Sequence, residues 1–520
     1  MMMQKIEKGL SVEEIQAIDV NCEYLGIKRL MLMENAGAEV SRIILEMIKP
    51  KKCITIVAGS GNKGGDGFVA ARHLSRLGIE IIVILIGRPE SIRSEEAKIN
   101  WKIINELKSS IKTIVIEDTS QIDSIKELLT KSEVIVDALL GTGIRGLVKP
   151  PASEIIKIIN HARECGAKIV SIDVPSGIDP NNGTPLGVAV KADLTITHHK
   201  PKIGLMTKDG TEYAGEIIVS NIGIPPEVEL FAGPGDVIIN IKRRRETSHK
   251  GDFGRIIVIG GSIEYTGAPA LTALAALRTG ADISIIITPS KIANAIRSFS
   301  PNLIVKEYEG EYLNTKGLKI IEKEIEKADV VAIGPGLSST QEVLDNAMEV
   351  FKMAAEKGKN LVIDADALKA YAKNPSIVKG TRTIVTPHTG EFKIVTGITL
   401  PNEEGEGWKD RIPIVMNEAR KLEVTILLKS HYDIISDGIK VKVNRTGNPG
   451  MTVGGTGDVL TGVTSTFLAW TNNTFRSAVA AAFINGLAGD IAVSEKGYHI
   501  TATDVVEKIP EAFKIVEKYV

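Results

Sequence analysis

The sequence predicts an α/β protein built as two three-layer α/β/α domains. Three observations carry this expectation. Apolar, β-branched runs alternate with helix-like stretches, and the alternation occurs twice over. The runs are continuous rather than alternating with polar residues, as expected of strands buried on both faces of a mostly parallel sheet. Between the two series lies a break: Ile224-Pro225-Pro226, Gly233-Pro234-Gly235 and the basic Lys242-Arg243-Arg244-Arg245. The expected division is residues 1–225, a linker over 226–245, and residues 246–520.

Taken in order, the chain opens on Ser11-Val12-Glu13-Glu14, a capping box that starts a helix near residue 12. Strand-like runs follow at 54–58, 79–86, 112–116, 134–139, 168–174 and 192–197. The second series places them at 255–259, 283–288, 330–333, 360–364, 382–386 and 424–428. At roughly 100–200 residues per domain, the length admits two to five domains. A hydrophobic content of 43% and charged content of 24% are those of an ordinary folded protein. The net charge of -1 argues against nucleic acid or an anionic membrane as the main partner. The basic run lacks interleaved aromatics and reads as a solvated linker. Cys22, Cys53 and Cys165 are scattered, so neither a disulfide framework nor a zinc knuckle is indicated. No apolar run reaches the about 18 residues of a membrane span. Met1-Met2-Met3-Gln4-Lys5 does not lead into a signal-peptide core. The expectation is a cytoplasmic protein acting on small molecules and forming a homo-oligomer.

Three loops after predicted strands and a fourth before a predicted helix carry the chemistry. Gly59-Ser60-Gly61-Asn62-Lys63-Gly64-Gly65-Asp66-Gly67 opens a helix and contains GxGxxG, with Glu80 near where a ribose-binding acid would sit. Asn62, Lys63 and Asp66 exceed what a pyrophosphate turn needs. Asp137 precedes the loop Gly141-Thr142-Gly143-Ile144-Arg145-Gly146, which suits a phosphate. Asp173-Val174-Pro175-Ser176-Gly177-Ile178-Asp179 puts an acid at a strand end, with Asp179 read as a turn cap. In a parallel sheet such loops share the edge where ligands bind. Near the end of the chain, Gly454-Gly455-Thr456-Gly457-Asp458 opens another helix. Its glycines let backbone N–H groups approach an anion, the helix adds its positive end, and Asp458 can take a proton from a hydroxyl. The plain alternative is a glycine turn with Asp458 as a helix cap. His198-His199 has no matching Cys or His spacing and reads as a surface pair.

The first series, through Leu32-Met33-Glu34-Asn35-Ala36-Gly37, the GNKGGDG loop at 61–67, DALLGTGIRG at 137–146 and DVPSGID at 173–179, resembles the NAD(P)H-hydrate epimerase domain. The resemblance implies a Rossmann-like fold and a potassium ion held by Asn62, Asp137 and Ser176. It also implies that Asn62, Lys63, Gly64, Gly65, Asp66, the 141–146 loop and Asp173 contact the hydrated nucleotide, with Asp173 or a nearby lysine handling protons. The second series has Gly260-Gly261-Ser262, Tyr265-Thr266-Gly267-Ala268, Gly334-Pro335-Gly336, Asp364-Ala365-Asp366, Thr386-Pro387-His388-Thr389-Gly390-Glu391 and Lys429-Ser430-His431. In this order, closed by the 454–458 loop, it is similar to the ADP-dependent NAD(P)H-hydrate dehydratase domain of the ribokinase-like group.

That second resemblance implies Asp458 as the base, with Ala268, Gly336 and His388 on the hydrated nucleotide. ADP would meet Lys429, Ser430, Asn448, Pro449, Gly450, Gly455, Thr456 and Gly457, and magnesium would contact Glu391 indirectly. The family usually has proline where this chain has Thr389, which leaves the backbone there freer. Together the halves imply epimerisation of the 6R and 6S hydrates of NADH and NADPH, then dehydration of the 6S form with release of AMP and phosphate. Competing readings are a small-molecule kinase on the shared fold, a first half that serves only as a binding module, and a dehydrogenase.

Overall fold

A computed structural model of the chain describes residues 9–519, so the amino-terminal segment read for a signal core lies outside the described residues. The chain forms two compact units, the first ending at Pro225 and the second beginning at Pro226.

The first unit is built on seven parallel strands: β1 Cys53–Ala58, β2 Glu80–Ile86, β3 Ile111–Ile116, β4 Val134–Ala138, β5 Lys168–Ile172, β6 Leu194–His198 and β7 Glu216–Ser220. Their order is β3-β2-β1-β4-β5-β6-β7. Alternate residues enter opposite cores. Ile54, Ile56 and Ala58 pack with the helices Arg29–Met47, Asn62–Leu74 and Glu95–Glu106, whereas Val57 and Ile135 pack with Asp123–Lys131 and Ala152–Glu164. Both faces of the sheet are therefore covered, which is why its strands read as unbroken apolar runs. Strand order reverses between β1 and β4, and such a switch opens a crevice at the carboxyl ends of these strands. Ser11 caps the helix Val12–Tyr24 through the reciprocal pair with Glu14.

The second unit has nine strands: β8 Arg255–Ile259, β9 Ile283–Pro289, β10 Ile304–Tyr308, β11 Val330–Ile333, β12 Asn360–Ile363, β13 Thr383–Val385, β14 Thr425–Leu428, β15 Asp433–Ser436 and β16 Val441–Asn444. The order is β10-β9-β8-β11-β12-β13-β14-β15-β16, parallel until β14 and antiparallel beyond it. Ile256 and Val258 face one core and Ile257 and Ile259 the other, again giving three layers. The helix Thr474–Lys496 is long and apolar enough to cross a membrane, unlike anything the sequence reading identified. It is a core helix, with 78% of its apolar window buried. Its alanines at 478 and 480–482 spread apolar surface all round, as burial on every side requires.

The segment 226–245 is not a free linker. Pro226–Leu230 and Pro234–Ile238 are short helices of the second unit. Val237 is fully buried in its core, Phe231 bridges to Val443, and Asp236 pairs with Lys442 at 2.9 Å. The basic run is partly engaged too, since Arg244 lies 4.1 Å from the Phe253 ring and pairs with Asp282 at 2.8 Å. Proline and glycine marked a boundary, but the apolar residues between them had a core to enter.

Candidate active sites

In the first unit the functional residues gather where β1, β4, β5 and β6 end. Asp173 follows β5 with φ at 63°, a backbone region that non-glycine residues rarely adopt. The Lys202 ammonium rests on its carboxylate, and the His198 N–H donates to it at 3.2 Å. Burial pushes the Asp173 carboxyl up, but Lys202 and His198 outweigh that and hold it below the usual range. Asp66, in the first helix turns after β1, has the opposite fate. Burial, then Asp173 and Asp19, push it well above a normal carboxyl. One site thus pushes two carboxyls apart, Asp173 downward and Asp66 upward, the kind of separation that acid–base chemistry uses.

Asp19 is raised to about 6, first by burial. His198 is not a surface residue: its side chain is 10% exposed, its Nδ1 lies 2.8 Å from Ser220 Oγ, and its Nε2 is 3.8 Å from Asp66. Burial pulls its pKa down to about 4, so it is neutral. Lys202, His198 and Asp19 were not singled out by sequence as site residues. Glu80 stands at the amino end of β2, exposed and at the opposite edge from these loops, which removes the ribose-binding role.

Lys63 is engaged by the protein itself. Its ammonium is buried and donates to Asp137 Oδ2 at 3.0 Å, Val174 O at 2.7 Å, Leu140 O at 3.2 Å and Ser176 Oγ at 3.1 Å. Asp137, fully buried, also accepts from Ser171 Oγ and the Ser176 N–H, both at 2.8 Å. Asn62 is exposed as the first residue of the helix Asn62–Leu74 and is absent from this cluster. Gly64 packs on the strand-end turn so closely that a Cβ would lie 2.0 Å from Gly59 O, and Gly65 abuts Met33. The glycines here serve helix-to-loop packing. Gly141 lies beside the Lys63 stem, while Gly143, Arg145 and Gly146 are exposed and Thr142 and Ile144 half-buried along the rim. Asp179 caps its turn through the Asn181 N–H at 2.8 Å, as read from sequence.

In the second unit the site lies at the carboxyl ends of β8, β11, β12, β13 and β14. Gly455, with φ at 99°, caps the helix Thr456–Thr471 and sets Asp458 in its first turn. Burial, then Asp364, push the Asp458 carboxyl to about 7, with Lys429 pulling the other way. Asp364 follows β12 directly and is held by Lys429 at 2.7 Å, Thr386 Oγ1 at 2.7 Å and Thr461 Oγ1 at 2.8 Å. Against burial, these contacts keep it below the usual carboxylate range. Burial disfavours the Lys429 charge, but Asp364 and Glu391 outweigh it and raise its pKa. Sequence reading placed Asp364 in a motif but gave it no role; an acid at a strand's carboxyl end was the available signal.

Gly336 and Ala268 meet: a Cβ on Gly336 would lie 3.3 Å from that of Ala268. One turn on, Thr272 Oγ1 donates to Asp458 O at 3.0 Å. His388 precedes the helix Thr389–Thr396 and caps it, its Nδ1 accepting from Gly390 and Glu391 while Glu391 accepts the His388 N–H at 2.8 Å. Thr389 is the first residue of that helix, where proline is tolerated without contributing a hydrogen bond. Its presence therefore removes no contact, and the reciprocal cap holds the loop. Among the nucleotide candidates, Ser430 Oγ accepts from Arg411 at 2.8 Å, Asn448 is held by Asp490 at 2.8 Å, and Thr456 Oγ1 donates to Met451 O at 2.9 Å. Pro449 and Gly450 form the short turn Pro449–Met451 after Asn448. These side-chain contacts shape the loops. Gly457 brings Lys429 close, since a Cβ there would lie 3.4 Å from its Nζ.

Fold and sites define a class: a two-unit α/β enzyme with two carboxyls shifted in opposite directions in one unit and a raised carboxyl after a glycine loop in the other. Comparison with known proteins narrows the class. Residues 256–511 match the family model described as NAD(P)H-hydrate dehydratase, and residues 29–204 the one described as YjeF-related protein N-terminus. The chain is 44% identical over 510 residues to the bifunctional NAD(P)H-hydrate repair enzyme Nnr of Pyrobaculum aerophilum, covering 97% of each. It is 42% identical over 500 residues to that of Methanothermobacter thermautotrophicus, covering 96% of this chain and 94% of the relative. A solved structure of the ADP/ATP-dependent NAD(P)H-hydrate dehydratase from Bacillus subtilis, co-crystallised with ATP/Mg2+, is similar at 26% identity and a TM-score of 0.47, over 55% of this chain and 98% of that one. The chain belongs to the bifunctional NAD(P)H-hydrate repair enzyme family.

Proposed function

We propose that the first unit interconverts the 6R and 6S hydrates of NADH and NADPH and that the second dehydrates the 6S form with ADP. Family membership over nearly the whole chain supports both activities. The observation that carries the mechanism is Asp458, a half-buried carboxyl raised to about 7 at the start of the helix that follows a glycine loop.

The hydrate bears a hydroxyl on the carbon next to the ring nitrogen. Asp458 takes the hydroxyl proton as that oxygen attacks the terminal phosphorus of ADP, and the bond to AMP breaks. Backbone N–H groups of Gly455, Thr456 and Gly457 and the Lys429 ammonium stabilise the charge on the transferred group. The ring nitrogen then expels phosphate, and loss of the proton from the adjacent ring carbon restores the double bond of NAD(P)H. Asp364 is a positioning residue, fixing Lys429 from below through a contact braced by Thr386 and Thr461. Magnesium suits an outer contact: Glu391 already accepts a backbone N–H and faces Lys429 at 3.9 Å, so it fits an ion reached through water. The ion would offset phosphate charge; ADP and magnesium both follow from family likeness.

In the first unit, inverting the hydroxyl-bearing carbon requires a bond to break and re-form on the other face, with one proton taken and one given. Asp173, held low, takes the proton, and Asp66, pushed well above the usual carboxyl range, gives one. Potassium does not fit the residues as they stand, because the cage formed by Asp137 and Ser176 already contains the Lys63 ammonium. The substrates are nicotinamide cofactors, and Cys22, Cys53 and Cys165 are free thiols; both support action in the cytoplasm. The test is product analysis with 6S hydrate and ADP. The reading requires AMP and phosphate, one of each per NAD(P)H formed. ATP consumption with a stable phosphorylated product would instead support the kinase reading.

A further inference from the structure

We infer that the first unit carries its own cation: the Lys63 ammonium permanently occupies the oxygen cage between the loops after β1, β4 and β5, and this chain's epimerisation needs no monovalent metal ion. The inference deepens the epimerase reading and rests on it only for the activity arm of its test.

The cage consists of Asp137 Oδ2, Leu140 O, Val174 O and Ser176 Oγ, all within 3.2 Å of Nζ. The carboxylate and the two carbonyls can only accept hydrogen bonds, so together they use the three N–H bonds of an ammonium. Burial draws the Lys63 pKa down, and Asp137 opposes it. The charge balance is closed: one buried carboxylate, 0% exposed, faces one buried ammonium, 4% exposed.

An alkali ion entering the cage would place two cations beside that single carboxylate, at a separation where low dielectric makes repulsion severe. Nor can the ammonium easily withdraw. Lys63 is the second residue of the helix Asn62–Leu74, and the helix start is wedged against the β1 turn by the Gly64–Gly59 approach. Asn62, the oxygen donor expected alongside Asp137 and Ser176, stands exposed outside the cage. The lysine does what a bound ion would do structurally. It neutralises Asp137 and joins three loops, and Asp137 in turn orders the Ser176 turn, whose Oγ accepts the Leu140 N–H at 2.8 Å.

The test uses the full-length protein, dialysed into choline chloride and then titrated with potassium chloride at constant ionic strength. Melting of the first unit, thallium-205 NMR as a probe of potassium-type binding, and epimer interconversion are followed for wild type and Lys63→Ala. Wild type should show no saturable potassium stabilisation, no bound thallium signal and no potassium dependence of rate. Lys63→Ala opens the cage: it should melt lower in choline, bind thallium, and regain stability and at least about tenfold in rate as potassium saturates the site. If Lys63→Ala fails to fold in choline yet folds in potassium, the inference is equally supported. Saturable thallium binding or potassium stabilisation in wild type overturns it. So does a Lys63→Ala protein that is as stable in choline as in potassium. The melting and thallium readouts stand without enzyme activity, so an inactive first unit with these ion responses would sink only the epimerase reading.

Discussion

Asp458 is set apart from an ordinary helix-capping aspartate by its surroundings. Burial and Asp364 raise it to about 7, so it holds a proton below that pH and can accept one above it. The dehydration rate should therefore fall as pH drops through about 7, in a pH profile of the dehydration step at saturating ADP. Asp458→Asn keeps the size but removes the acceptor, and should cost roughly 10²–10⁴-fold in dehydration with epimerisation intact. Retention of more than about a tenth of the rate would remove Asp458 from the role of base. In the first unit, burial pushes Asp173 up, but Lys202 and His198 together outweigh it and keep the carboxyl low. Lys202→Met should let burial prevail and raise the Asp173 pKa, moving the acid limb of epimerisation to higher pH; an unmoved limb would show that Lys202 does not set it. The sequence made Asp458 and Asp173 legible because each sits in a glycine-containing loop after a strand or before a helix. Lys202 and His198 were not legible as site residues. Their roles come from neighbours distant in the chain, and nothing in the local pattern around a buried lysine or histidine distinguishes a partnered group from a solvated one.

At the scale of elements, the twelve strands expected from apolar runs all form, and the strands missed lie at or next to sheet edges. β7 and β10 each expose the first and fourth of their five residues, so their runs are broken by polar positions. β15 and β16 continue the second sheet by short antiparallel hairpins, which lack the long crossovers that mark parallel strands. Helix contacts were less legible still. Gly462 lies where the helices Thr456–Thr471 and Gly267–Thr279 touch, and a Cβ there would fall 2.2 Å from Thr272 O. Gly462→Ala should force these helices apart and cost about 1–3 kcal/mol, read as a lower urea midpoint for the second unit. Because Thr272 also bonds Asp458 O, the same variant should slow dehydration beyond the loss of folded protein.

On the whole-molecule scale, each unit has its own sheet, cores and site, and the boundary falls at Pro225–Pro226 rather than after a linker. A fragment of residues 226–520 should fold and dehydrate 6S hydrate alone. A fragment beginning at residue 246 loses buried Val237 and the Asp236–Lys442 pair, and should melt lower in a thermal denaturation. The domain-level reading was legible because proline and glycine clusters interrupt two α/β series. The exact edge was not, since whether a short helix joins one core depends on Phe231 and Val237 finding partners hundreds of residues away.

The central claim is that one chain carries two sites acting in sequence on one damaged cofactor. Its most direct measurement supplies the intact protein with an equal mixture of 6R and 6S hydrates, ADP and magnesium, and follows recovery of absorbance at the reduced-nicotinamide band together with nucleotide products. The account predicts that both epimers are recovered at a rate far above uncatalysed interconversion, with one AMP and one phosphate released per NAD(P)H. Recovery that slows to the uncatalysed rate once the 6S fraction is consumed, or recovery without AMP, would contradict it.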